Sequence, residues 1–229
     1  MERIDHFRQR WLERENRIWD ERGGFDTRGW VIPDRHSTVS GVADGFPYAG
    51  THVRLGRAML RALRSSAEGA TFVDLGSGKG RVLLLASEHP FVEVVGVEYD
   101  EQLHRAAEGN VARLADRGEP NVRLEFGDVR EFKFPETPLV IYLNNPFPES
   151  VLDVVLANLC VSRVERPRPI TIAYHQLREE DVEHDTRNVE LLAKLDFLTR
   201  RRVTIRGPVD AWLLRQYIVH GFSGVASGP

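Results

Sequence analysis

Short apolar runs alternate with helical stripes along most of this 229-residue chain. From residue 71 onward, runs of mainly apolar residues are separated by stretches in which apolar positions recur every three or four residues. This is the pattern of strands alternating with helices. Several runs are apolar on both faces, as in a parallel sheet covered by helices on both sides. The predicted strands are 71–75, 92–97, 122–126, 139–143 and 170–174.

The end of the chain predicts a different connection. Beyond residue 185, a helix leads to two further strands at 199–205 and 211–219. Residues 206–210 are too few for a crossover helix, so this pair is predicted to be antiparallel. The chain as a whole therefore predicts an α/β fold, with a mostly parallel sheet, a C-terminal antiparallel hairpin and helices on both faces.

The residues before the alternating region have their own pattern. An apolar stripe in the first twenty positions predicts an amphipathic helix packed on one face, formed by Ile4, Phe7, Trp11 and Ile18. Residues 21–50 lose this periodicity and collect glycines and prolines, and we interpret this long loop as a lid. We therefore divide the chain into an N-terminal helical segment with a lid loop at 1–69 and a core at 70–229.

Composition and charge narrow the class of protein without identifying it. The chain is 41% hydrophobic and 28% charged with a net charge of -3, which excludes a disordered tail and disfavours a general nucleic-acid or anionic-membrane binder. No apolar run reaches the roughly 18 residues of a membrane span, and the charged start lacks the apolar region of a secretory signal. Cys160 is the single cysteine. We therefore expect a cytoplasmic protein without disulfides.

A glycine-rich turn follows the first strand of the alternating region. It consists of Gly76, Ser77, Gly78, Lys79 and Gly80, and an apolar helix follows. Glycine permits a tight turn and close approach to backbone amides, which at a helix N-terminus suit an electronegative group. The spacing G-x-G-x-G departs from the dinucleotide fingerprint, and Gly80 stands where a P-loop has Ser or Thr.

An acidic residue stands at the end of the next strand. Glu98 lies roughly twenty residues beyond Gly78, where a carboxylate can accept hydrogen bonds from a ribose diol and would repel a 2′-phosphate. The two features together predict a ligand that contains an unphosphorylated ribose.

These residues together resemble the class I S-adenosylmethionine-dependent methyltransferases. The resemblance rests on Asp-x-Gly-x-Gly-x-Gly from Asp74, Gly-Val-Glu ending at Glu98, Gly-Asp ending at Asp128, and Asn-Asn-Pro-Phe at 144–147. It covers about residues 70–220 and is nearest to the Dot1-like branch, which includes histone lysine methyltransferases and many bacterial proteins. It implies a Rossmann-like fold and an enzyme that converts S-adenosylmethionine to S-adenosylhomocysteine.

The resemblance also implies a cofactor site. Asp74 and the amides around Gly76 and Gly78 would hold the methionine part, and Glu98 would bind the ribose. Tyr99 would pack beside the adenine, whose amino group would meet Asp128. The implied cofactor-binding set is Asp74, Gly76, Ser77, Gly78, Gly80, Glu98, Tyr99, Asp128, Val129 and Asn144.

Candidates for the acceptor side lie at strand ends and in the N-terminal loop. Asparagines after the fourth strand can accept hydrogen bonds from an amine and turn its lone pair toward the methyl group, and Pro146 and Phe147 are candidate substrate contacts. His175 could act as a base for a hydroxyl, and Tyr48 and Asp26 could close over the cofactor. The catalytic candidates are Asn144, Asn145, His175 and Tyr48. No His, Asp or Cys cluster has metal-ligand spacing.

We predict methyl transfer to an amine nitrogen of a small molecule, by a monomer or a homodimer. Four alternatives stay open: O-methylation of a hydroxyl or carboxylate with His175 as base, methylation of a protein lysine, a cofactor-binding module without catalysis, and an NAD-dependent oxidoreductase. The glycine spacing disfavours the last of these.

Overall fold

The structure is a computed structural model and describes residues 2–32, 47–116, 118, 121–144, 147–177, 183–202, 214 and 217–224. In chain order, its helices and strands are α1 (Glu2–Gly23), β1 (Trp30–Val31), β2 (Tyr48–Ala49), α2 (Val53–Ala62), β3 (Thr71–Leu75), α3 (Arg81–Ala86), β4 (Glu93–Glu98), α4 (Glu101–Ala115), β5 (Val122–Phe126), β6 (Leu139–Leu143), α5 (Glu149–Glu165), β7 (Ile170–Leu177), α6 (Glu183–Ala193), β8 (Thr199–Arg202) and β9 (Tyr217–Gly224).

Strands β3 to β9 form one sheet of seven strands in the order β5-β4-β3-β6-β7-β9-β8. The five strands from β3 to β7 are parallel, and β9 is antiparallel to both β7 and β8. This confirms the predicted mostly parallel sheet with an antiparallel pair at its end. Three predicted strands have the observed bounds, while β4 is shifted by one residue and β7 continues to Leu177 because its last residues pair with β9.

The position of the terminal pair differs from the prediction. The second strand of the pair was expected at 211–219, but β9 runs from Tyr217 to Gly224 and Leu214 lies in a turn. Gly221 has low strand propensity, yet its neighbours Val219 and Phe222 are buried between β7 and β8. Sheet burial outweighs local propensity here. Residues 203–213 lie outside the described part of the chain.

Helices cover both faces of the sheet, as predicted. On one face Phe72 and Val140 pack against α1, α2 and α3, and on the other Val73 and Ile141 pack against α5 and α6. Leu12 of α1 lies in the same cluster as Phe72, so residues on both sides of the predicted boundary after residue 69 share one core.

The buried face of α1 is largely polar, so the predicted apolar stripe is observed only in part: Trp11 packs against the core. Phe7 is 58% exposed, whereas residues spaced by four along the helix are buried. These buried residues are Arg8, Leu12, Asn16 and Asp20. The apolar pattern does not reveal this face, because its buried polar side chains form hydrogen bonds while Leu12 packs in the core.

Two of these polar residues hold the chain that follows α1. Asn16 accepts a hydrogen bond from the Val53 N–H at the start of α2 (2.9 Å) and donates from Nδ2 to His52 Nδ1 (2.8 Å). Asp20 accepts from the Thr27 hydroxyl (2.6 Å) and the Thr27 N–H (3.2 Å). Within the described ranges, no helix is long and apolar enough to cross a membrane.

Candidate functional site

The glycine turn lies at the carboxyl edge of the sheet, between β3 and α3. Gly76, Gly78 and Gly80 have φ angles of 81°, 54° and 80°, in the left-handed region that glycine enters without strain. Glu98, Phe126 and Leu143 end the neighbouring parallel strands, so the segments that follow them lie at the same edge. Open α/β sheets bind their ligands at this edge.

Four backbone N–H groups of the turn donate inside the protein, and the role predicted for the amides around Gly76 and Gly78 stays a prediction. Two of them donate to the Val97 carbonyl at 2.9 and 3.0 Å, one to Glu98 Oε2 at 2.7 Å, and one to a carbonyl within the turn at 2.9 Å. The four donors are, in that order, Gly76, Ser77, Gly78 and Gly80. These four N–H groups are therefore paired within the protein, unlike the N–H groups that bind phosphate in a phosphate-binding loop.

Two carboxylates are buried beside the turn. Asp74, in β3, is 3% exposed, and no described residue donates a hydrogen bond to it. Burial raises the pKa of Asp74 well above its usual range, and the charge of Glu98 raises it further. Glu98 is 4% exposed and accepts from the N–H groups of Gly78, Tyr99 and Asp100. Burial raises the pKa of Glu98 to about 7 although these three hydrogen bonds favour its charged form.

Ser77 and Tyr99 are two further predicted site residues near β4. The Ser77 hydroxyl is buried without a hydrogen-bond partner among the described residues, and it packs so closely on Gly96 that a Cβ there would lie 2.9 Å from its Oγ. Tyr99 is half-buried, and burial together with the Glu98 and Asp100 charges raises its pKa to about 12.

Asp128 and Val129 follow β5 and begin a short 3-10 helix. The Asp128 carboxylate accepts from the Arg130 N–H (2.8 Å) and from the Arg130 guanidinium. Burial opposes the charged form of Asp128, but the hydrogen bonds and charge of Arg130 outweigh it and lower the pKa. In this structure Asp128 is a helix cap, and Val129 packs against the core beneath it.

The segment after β6 holds the predicted amine-binding residues. Asn144 donates from Nδ2 to the Ala49 carbonyl at 3.2 Å, and no described residue donates to its Oδ1. Asn145 and Pro146 lie outside the described residues. Phe147 is 6% exposed and packs in the core, and its contact with a substrate stays a prediction.

His175 lies inside β7, where it pairs in register with Val219, and does not end the strand as predicted. It is 6% exposed, and burial lowers its pKa to about 3, with a further contribution from His52. His175 is therefore a buried, neutral imidazole.

Tyr48 lies directly on the glycine turn. A Cβ at Gly78 would lie 2.3 Å from Tyr48 Cε2, so the ring packs against the bare backbone of the turn. The Tyr48 hydroxyl donates to the Thr27 carbonyl at 2.8 Å, and burial raises its pKa above the ordinary value. Asp26 also reaches the turn, through an ion pair with Lys79 at 3.1 Å. The described parts of the predicted lid thus contact the turn, and residues 33–46 lie outside the description.

Arg81 is the site residue that the sequence analysis missed. It is the first residue of α3, is 3% exposed, and donates to four oxygen atoms of the N-terminal segment. The signal was a charged side chain at the start of an otherwise apolar helix, directly after Gly80. In the described part of the chain, no three His, Cys, Asp or Glu side chains are grouped so as to hold a metal ion.

Comparison with solved structures identifies the fold, whereas comparison of the sequence identifies no family. No protein-family model and no curated protein matches the sequence.

Several solved structures match this one. A proposed O-methyltransferase of Klebsiella pneumoniae superposes with a TM-score of 0.56 at 11% identity, over 94% of this chain and 90% of that one. The ribosomal protein L11 methylase of Lactobacillus delbrueckii gives 0.52 at 16% identity, over 80% and 83%. A proposed RNA methyltransferase of Pyrococcus horikoshii gives 0.50 at 18% identity, over 76% and 86%. The chain therefore has the fold of the class I S-adenosylmethionine-dependent methyltransferases.

Proposed function

We propose that this protein is an S-adenosylmethionine-dependent methyltransferase. The observation that carries the proposal is the glycine turn, whose N–H groups are used internally and which lies beside the buried carboxylates of Asp74 and Glu98. A phosphate there would disfavour the charged forms of both carboxyl groups further, whereas an ammonium or sulfonium group would stabilise those charged forms. This favours S-adenosylmethionine over NAD at this turn.

The residues present fit that cofactor. Asp74 lacks a described donor, and the cofactor's α-amino group would supply one together with a neutralising charge. Glu98 uses three lone pairs on backbone N–H groups, which fixes its carboxylate, and a further lone pair can accept from a ribose hydroxyl. Tyr99 and Asp128 follow β4 and β5 in the chain, and we propose that they contact the adenine.

The cofactor supplies an electrophilic methyl group on a sulfonium. The chain therefore has to orient the acceptor and accept hydrogen bonds from it. We propose an amine acceptor. The Ala49 carbonyl holds Asn144 by its Nδ2, so Oδ1 is the atom that can accept an N–H and direct the lone pair. In the transfer a C–N bond forms, the C–S bond breaks, S-adenosylhomocysteine leaves, and the amine loses a proton to solvent.

The proposed acceptor is a small molecule. The net charge of -3 supports this, because it disfavours polyanionic partners, although the structural neighbours include enzymes named for RNA, for protein and for O-methylation. No observation favours His175 as a base for O-methylation, since its ring is buried within the sheet. Membership of the Dot1-like branch is likewise a proposal, supported by the motif from Phe72 to Gly78.

An acceptor panel tests this function. Release of S-adenosylhomocysteine would be measured with amines, alcohols, carboxylates, a lysine peptide and an RNA oligonucleotide. We expect turnover with small amines, and we expect Asn144→Ala to lower kcat at least tenfold while Gln9→Ala, an amide change on α1, leaves it unchanged. Turnover with alcohols or carboxylates alone would contradict the amine acceptor. Turnover with RNA or the peptide alone would contradict the small molecule. Cofactor binding without turnover on any arm would contradict catalysis.

A further inference from the structure

The N-terminal segment accepts four hydrogen bonds from the guanidinium of Arg81. Its Nε donates to Thr27 Oγ1 at 2.8 Å and its Nη2 to the Thr27 carbonyl at 2.6 Å. Its Nη1 donates to the carbonyls of Thr51 at 3.0 Å and Gly50 at 3.2 Å. One side chain thus joins two stretches that are more than twenty residues apart in sequence to the first turn of α3.

Thr27 connects this guanidinium to the ring that covers the turn. The Thr27 carbonyl accepts from both Arg81 Nη2 and the Tyr48 hydroxyl, and the Tyr48 ring packs against Gly78. Asp20 holds Thr27 from the other side through its hydroxyl and N–H. The position of the Tyr48 ring on the glycine turn is therefore fixed through Thr27 by Arg81.

A second set of contacts holds the same segment on the turn. Asn110 of α4 is fully buried and donates from Nδ2 to the carbonyls of Asp26 and Lys79, both at 2.9 Å. Its Oδ1 accepts the Asp26 N–H at 2.8 Å. The segment after α1 is thus bonded through Asn110 to Lys79, the residue that follows Gly78, and its attachment does not depend on apolar packing alone.

The chemistry of this position requires arginine. The carbonyls of Thr27, Gly50 and Thr51 surround a planar group with several donors, and a lysine ammonium cannot reach all of them in one geometry. Burial lowers the pKa of Arg81 from its ordinary value, and the Asp20 charge opposes that shift. A buried cation of this kind is retained only where its hydrogen bonds are met.

We propose that Arg81 is a positioning residue for the cofactor, which holds Thr27 and residues 48–51 on the glycine turn so that Tyr48 forms one wall of the cleft for the methionine end. The inference rests on the proposed function, because it takes S-adenosylmethionine as the ligand of this turn. The N-terminal segment is then part of the cofactor site, and closure of the segment and cofactor binding stabilise each other.

The test is the affinity of the full-length protein for S-adenosylhomocysteine, measured by calorimetry. We expect Arg81→Met to weaken binding at least tenfold and Arg81→Lys to weaken it less. The matched control is Arg54→Met, because Arg54 also joins α1 to a following helix, through Glu15 at 2.7 Å, but does not contact the turn. We expect the control to bind within twofold of the unmodified protein.

Three results would overturn the inference. The first is binding by folded Arg81→Met within twofold of the unmodified protein, and the second is an equal loss in Arg54→Met. Where Arg81→Met does not fold, the affinity of Tyr48→Leu for S-adenosylhomocysteine is measured in its place. A fivefold or larger loss of affinity supports the role of Tyr48 as a wall of the cleft. Binding within twofold of the unmodified protein is the third result that overturns the inference. Failure of the unmodified protein to bind S-adenosylhomocysteine contradicts the proposed function itself, so the two failures are distinguishable.

Discussion

At the scale of single residues, the two buried carboxylates oppose folding of the ligand-free chain. The pKa of Glu98 in the folded chain, about 7, lies above its ordinary value of 4.5, so its contribution to stability falls as the pH rises between these values. Asp74 acts in the same direction. Charged groups held in unfavourable surroundings are typical of functional sites, where a ligand supplies the missing partner.

Replacing Asp74 separates stability from binding. We expect Asp74→Asn to raise the melting temperature of the ligand-free protein at pH 8, because a buried charge without a described donor is removed. The same change should weaken S-adenosylhomocysteine binding by about 1.5–3 kcal/mol, the range for a hydrogen bond to a charged group. Thermal melts and calorimetry check both effects. Asp153→Asn, on the exposed face of α5, is the control, and equal affinity in the two variants would refute the role of Asp74.

His52 makes the stability depend on pH in the opposite sense. Burial lowers the pKa of His52 from 6.5 to about 4, and the Arg81 charge lowers it further. Since the folded pKa lies below the unfolded one, the contribution of His52 to stability is fully present above pH 6.5 and is lost as the pH falls toward 4, by on the order of 3 kcal/mol. Urea unfolding between pH 7 and 4.5 measures this loss. We expect His52→Gln to have a flatter profile and the exposed His6→Gln to follow the unmodified protein; identical slopes in all three proteins would disprove the assignment.

At the scale of elements, the residue types of the site were predictable from the sequence but their hydrogen bonds were not. The strand, the three glycines and the acid at position 98 are local patterns, and they were found where predicted. The direction of the loop N–H groups depends on the Val97 carbonyl and on Glu98, which belong to a different strand. The polar face of α1 was equally hidden, because its partners lie in the segments around residues 27 and 52.

The glycine turn gives an element-scale prediction. Alanine at Gly78 would combine a left-handed φ of 54° with a Cβ placed 2.3 Å from the Tyr48 ring. Alanine at Gly118 would have a φ of 82° with no atom within 4 Å, so it carries the backbone strain alone. We expect Gly118→Ala to lower stability by about 1–2 kcal/mol without changing cofactor affinity. Gly78→Ala should abolish measurable binding, and retained affinity in calorimetry would show that Tyr48 does not pack on the turn as described.

The contact between α1 and α2 gives a second prediction at the scale of elements. Asn16 satisfies the first N–H of α2 and orients His52, so Asn16→Ala leaves a buried donor without its partner. We expect a loss of about 1–3 kcal/mol in the free energy of unfolding, measured with urea. Glu13→Ala, on the exposed side of the same helix, should change it by less than about 0.5 kcal/mol. Equal losses would indicate that helix propensity and not the cap is responsible.

At the scale of the whole molecule, the strand order places all the candidate residues at one edge. With β3 between β4 and β6, the segments carrying Gly78, Glu98 and Asn144 become neighbours. Alternation of strands and helices made this fold predictable, since parallel connections in one sheet follow few topologies. The attachment of the N-terminal segment was not predictable, because it depends on contacts such as those of Arg81 between parts of the chain far apart in sequence.

Calorimetric titration of the full-length protein with S-adenosylhomocysteine and, separately, with NAD tests the central claim most directly. The glycine turn beside the buried carboxyl groups of Asp74 and Glu98 predicts one S-adenosylhomocysteine bound per chain and no detectable heat of binding with NAD. Tight binding of NAD, or no binding of S-adenosylhomocysteine by the folded protein, would contradict the account.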